Sequence, residues 1–178
     1  MRALTVWRPW PWAILHGKNV ENRPWKPPAS IIGQTIALHA GKTWDDGAVG
    51  FIRKIARECP GSSADHPLGI VGVARVVGYV HRTDDGDFVA NSVESARIQF
   101  DRRWFFGPWG WKLDQITAID PVPCRGAQGL WPVPEEVDRV VRERMTRPVS
   151  GREFMRLADA LAPTLSAETL ERMLEDES

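Results

Sequence analysis

The 178-residue chain has two cysteines, a single tyrosine and no net charge, and each shortage excludes something. Cys59 and Cys124 cannot build the disulfide framework of a small secreted domain and match no zinc spacing, so both read as buried or incidental thiols. No apolar run approaches the roughly 18 residues that a membrane-spanning helix needs. Met1 to Trp12 mixes charge and proline without a leader-like apolar stretch, so no membrane partner and a cytoplasmic location are expected. Zero formal charge argues against a protein that grips a long duplex, because affinity for many phosphates comes from a basic excess. His16, His39, His66 and His81 show no metal-ligand spacing. A phosphate-cradling glycine loop, a dinucleotide fingerprint and a serine elbow are missing as well, and neither a metal nor a cofactor is expected.

What is present is unevenly spread. Met1 to Glu58 holds nine Lys/Arg against four Asp/Glu, a local excess of five positive charges in a neutral chain. Nine tryptophans stand against the one tyrosine, most of them grouped as Trp7, Trp10, Trp12 and Trp25 and then as Trp104, Trp109 and Trp111. A tryptophan-rich core would fill a small barrel. Indole faces beside cationic side chains would instead suit a flat base and its phosphate, and Trp7 and Trp111 are the preferred stackers on that reading.

Residue periodicity predicts a strand over Ala3 to Trp7, a short helix over Trp10 to His16 ended by Gly17, and an extended stretch from Val20 to Trp25. A half-buried strand over Gln34 to Ala40 ends at Gly41, and a helix follows over Thr43 to Glu58 with Thr43 as its cap. Gly69 to His81 is a β-branched run bent at Gly72 and Gly78. An acidic turn over Thr83 to Asp87, a weak helix over Val93 to Phe100 and strands at Trp109 to Leu113, Thr117 to Ile119 and Leu130 to Val133 complete the pattern. An α+β barrel of about five to seven strands, antiparallel or mixed, with flanking helices, is the expected fold. The barrel domain is assigned to residues 1 to 148. Residues 149 to 178 read as a helical extension, with a capping box from Ser150 to Glu153 and an amphipathic helix from Ser166 that either packs on its own chain or serves a protein partner or self-association.

Five strings along the chain resemble one family in order. They are Trp7 to Trp10 with His16 to Trp25, Leu38 to Lys42, Gly69 to Ala74, Phe106 to Trp111, and Pro123 to Gly126 with Gly129 to Trp131. On these, residues 3 to 133 resemble the ASCH domains, which implies a PUA-like β-barrel with a cleft. Members are associated with RNA or nucleotide binding. Some similar proteins are amidohydrolases of N4-acylated cytidine nucleosides, and ribonuclease activity has been proposed for others. Lys18 matches the lysine that the similar amidohydrolases use, but Glu21 stands where those enzymes have threonine.

Two functional readings follow. In the first, a cleft binds a nucleotide, a nucleobase or short RNA through Trp7, Trp10, Lys18, Asn22, Arg23 and Trp25, with His39, Trp109, Trp111 and Arg125 as further contacts. Asn22 either reads a base edge or closes backbone bonds of its own. In the second, Lys18 and Glu21 hydrolyse the amide of an acylated nucleobase, Glu21 orienting water while Lys18 stabilises the oxyanion. RNA cleavage is a further alternative, and an ordinary surface ion-pair network is the plain account of the same charges.

Overall fold

The computed structural model describes residues 1–146. The expected extension over 149–178, with its capping box, lies outside the described residues. Seven strands form one mixed sheet: β1 Arg2–Arg8, β2 Val20–Arg23, β3 Thr35–Trp44, β4 Gly69–Arg82, β5 Phe88–Ala90, β6 Trp109–Val122 and β7 Leu130–Pro132. Helices α1 Trp10–Leu15, α2 Ala48–Ala56, α3 Val93–Arg97 and α4 Glu135–Thr146 flank it. The α+β class and the mixed strands are those expected from the sequence. The order is β2-β6-β4-β3-β1-β7, with β5 added to the end of β4. Among the described residues, β1 and β3 are the one parallel pair. The sheet curls into a half-barrel, and among the described residues β2 and β7 do not pair to close it.

Alternation along the strands separates two cores, because successive side chains point to opposite faces. Leu4 and Val6 of β1, Ile36 and Leu38 of β3, and Trp111 and Leu113 of β6 share one core with Ile14 of α1. Ala3, just before Leu4, and Ala37, between Ile36 and Leu38, belong to a second core with Trp131, Val133 and Val141, the last on α4. A third cluster joins Ala13 of α1 to Ile52 of α2 and to Trp104 and Phe105. Among the described residues no helix is long and apolar enough to cross a membrane.

Some expected boundaries are corrected. Gly41 does not end β3, which runs on to Trp44 opposite Arg8. The Arg8 guanidinium donates to the carbonyls of Gly41 and Lys42 and holds that stretch extended. Thr43 therefore lies in a strand and does not cap a helix; α2 begins at Ala48, behind Gly47. The two strands expected over 109–113 and 117–119 are one strand, β6, kinked at Gln115, whose φ is 46°. Register shifts in β4 between Ile70 and Gly72 and between Val76 and Gly78 mark the bends expected at those glycines.

Candidate functional site

Gly17, at φ 106°, ends α1 in a conformation that a side chain would resist, and the Lys18 amide returns to the Ala13 carbonyl at 2.9 Å. This tight turn aims Lys18 inward, beneath α1. Its ammonium lies 2.6 Å from Glu21 Oε2 and 5.6 Å from the centroid of the Trp10 ring. The other Glu21 oxygen lies 3.1 Å from Arg23 Nη2, and Arg23 also donates to the Thr5 carbonyl at 2.9 Å, tying β2 to β1. Lys18 is 1% exposed and Glu21 5% exposed. Lys18 and Glu21 are therefore a buried pair, and the partly buried Arg23 completes a triad of two cations on one carboxylate.

Such a triad is poor evidence of stabilisation. Taking these charges out of water costs several kcal/mol per ion, a cost their attraction recovers only with excellent geometry. Burial pushes the Lys18 amine below its ordinary value, and Glu21 partly opposes that shift. The triad opens onto a hollow of about 170 Å³. Trp7, Trp10 and Phe106 wall it, with Val6 and Asn22 between them. Trp7 is 58% exposed and Phe106 57% exposed. Phe106 is propped by Trp10 at 5.4 Å and by Phe51 at 5.6 Å between ring centroids.

Donors dominate the floor. The ammonium has three N–H bonds, one of them directed at Glu21. The Arg23 Nε–H is buried and has no partner among the described residues. A ligand edge that presents acceptors, such as a ring carbonyl beside an imine nitrogen, would complement this arrangement.

The structure brings Trp7, Trp10, Lys18, Glu21, Asn22 and Arg23 to one hollow. Asn22 accepts from the amides of Phe106 and Gly107 through its oxygen and donates one N–H to the Trp104 carbonyl. It thereby fixes the segment that carries Phe106, the second of the two roles open to it in the sequence, while its side chain still lines the hollow. Trp111 is corrected. It is fully buried, covered edge-on by Trp25 at 4.7 Å, and its indole N–H donates to the Trp25 carbonyl. Neither Trp25 nor Trp111 lines the hollow. Trp109 packs against Tyr79 and His81 and does not line it either. Phe106 is the wall that residue-by-residue reasoning missed, although the Phe-Gly-Pro string at 106–108 was the available signal.

His39 and Arg125 lie at a second, larger cleft of about 880 Å³, which also takes in Lys42 and Trp7. His39 contacts Thr5 Oγ1 and the Cys124 carbonyl, each at 3.3 Å, and burial pushes its imidazole below the ordinary value. Gly126 lies so close to this ring that a Cβ there would come within 2.3 Å of it.

No family model and no curated protein matches this chain. Solved structures similar to it include ASCH from Zymomonas mobilis, 16% identical, covering 80% of this chain and 93% of that one at a TM-score of 0.43. Two single-substitution variants of the same protein are similar at 16% and 15% identity. They also cover 80% of this chain, with 96% and 94% of their own length matched, at TM-scores of 0.43 and 0.44.

Proposed function

We propose that this chain is an ASCH-type binding domain whose hollow takes one pyrimidine-sized base, presented on a nucleoside, a nucleotide or short RNA. The observation that carries the reading is the buried Lys18–Glu21 pair, with Arg23 partly buried beside it, in a hollow walled by the two exposed rings Trp7 and Phe106. A stability argument does not account for burying those charges, whereas a polar ligand edge that meets them does.

Size narrows the ligand. Ligand pockets for drug-sized molecules usually measure about 300–1,000 Å³, while a cavity of about 150 Å³ accommodates a single benzene ring. A hollow of about 170 Å³ therefore fits one ring and leaves the sugar outside. Trp7 or Phe106 supplies the stacking face, and the donors of Lys18 and Arg23 meet the ring carbonyl. Titrating cytidine, uridine and adenosine while following tryptophan fluorescence tests this. Saturable quenching by the pyrimidines is expected, and no response to any of the three would refute the reading.

The direct Lys18–Glu21 contact favours a second reading, hydrolysis of N4-acylated cytidine. Glu21 would take a proton from water as its oxygen attacks the acyl carbonyl, and Lys18 would stabilise the oxyanion. Collapse would break the carbon–nitrogen bond, with the proton passing to the leaving amine to give a carboxylic acid and cytidine. Incubation with N4-acetylcytidine decides between binding and turnover. Release of acetate that is lost in Glu21→Gln would establish the enzyme, and intact substrate would eliminate it.

A further inference from the structure

Trp7 lines both openings of the molecule, the small hollow above the triad and the larger cleft beside His39. Resting on the single-base reading of the first, we propose that the second cleft is a subsite for the next nucleotide, so that the cognate ligand is a single-stranded oligonucleotide of at least two residues. The Trp7 indole would stand between consecutive bases, and Lys42 and Arg125 would hold the phosphate that links them.

The chemistry of the cleft supports this. Lys42 and Arg125 are exposed cations for which no ion-pair partner is found among the described residues, and no carboxylate lines the cleft. A cleft lined by unpaired cations and no anion suits a phosphodiester. At about 880 Å³ it has room for a nucleoside, which the first hollow lacks.

The cleft is also braced before any ligand arrives. The Arg8 guanidinium is spent on four carbonyls, those of Gly41, Lys42, Ser63 and His66, and so fixes the backbone that carries Lys42. Elsewhere in the lining, Thr5 donates to the Ala127 carbonyl at 2.7 Å and His39 contacts the Cys124 carbonyl at 3.3 Å, which seats the stretch bearing Arg125. Preorganisation of this kind lowers the ordering cost of binding. The placement of Trp7 completes the case: it follows Val6 where the β1–β3 register shifts, at the end of its strand, with more than half of its surface open.

The test compares cytidine with the dinucleotide CpC and its deoxyribose counterpart, by calorimetry on the full chain and on a Lys42→Ala/Arg125→Ala variant. CpC should bind at least about five-fold tighter than cytidine, the gain that one further stacked base at the low end of its range provides. The affinity for CpC should fall with added salt while that for cytidine does not. The variant should lose the dinucleotide gain and its salt dependence and leave cytidine binding unchanged. Equal affinities for cytidine and CpC would overturn the subsite and leave the single-base reading intact. Absence of binding by all three ligands would overturn both, and a variant that weakens cytidine as much as CpC would assign the two cations to the first hollow. A gain in the ribose series alone marks RNA as the source; equal gains mark single strands of either kind.

Discussion

Replacing Lys18 by methionine keeps much of the side-chain volume and removes the ammonium, so it isolates what the buried charge does. Glu21 would lose its 2.6 Å partner and keep only Arg23 at 3.1 Å. Removing one member of a buried ion pair costs about 3–5 kcal/mol, because the other charge is left without compensation. Arg23 remains in contact, so the lower end, about 3 kcal/mol, is expected. Urea unfolding should show a lower midpoint with an unchanged slope. Adding Glu21→Gln to the variant removes the stranded charge and should restore part of the loss, a non-additivity that a double-mutant cycle measures directly. A single variant as stable as the wild type would refute the claim that this ammonium is buried against Glu21.

Five further variants have expected outcomes. Asn22→Ala removes three hydrogen bonds to the 104–107 segment and should destabilise by about 2–4 kcal/mol at roughly 1 kcal/mol for each bond, measured by denaturant melts. Trp111→Phe should cost about 2–3 kcal/mol through a small cavity and an unpaired Trp25 carbonyl, yet leave cytidine affinity unchanged in calorimetry, whereas Trp7→Ala should leave stability nearly intact and weaken binding by about 1–3 kcal/mol. Gly126→Ala forces a Cβ against the His39 ring and should cost about 1–3 kcal/mol, visible as a lowered melting temperature. His39 titrates below its ordinary 6.5, so the unfolded chain takes up its proton first on acidification and stability falls as pH drops below about that value; His39→Gln should flatten this acid limb in melts from pH 7 to pH 5.

Local chemistry explains which features were legible in the sequence. Leu4 and Val6, Ile36 and Leu38 announce their strands by alternation, and the same alternation places Ala3 and Ala37 on the other face. Lys18, Glu21 and Arg23 lie within six positions around one glycine-ended helix, so their proximity needs little tertiary information. Trp111 shows where such reasoning stops. It pairs with Glu21 across β2 and β6, but only packing reveals that Trp25 covers it. Phe106 was overlooked for the converse reason: its exposure depends on the loop that Asn22 anchors, a contact 84 residues away in sequence. The strand boundary at Gly41 failed because a side chain, Arg8, and not a backbone partner alone, extends β3. At three residues, β5 is too short to carry a periodic signal.

Intermolecular nuclear Overhauser effects between bound cytidine and the protein probe the central claim most directly. Cross-peaks from the cytosine ring protons to the ring protons of Trp7 and Phe106, all lost in Lys18→Met, are the result expected. Cytosine contacts confined to any other surface, or saturable binding that shows no effect at either ring, would contradict it.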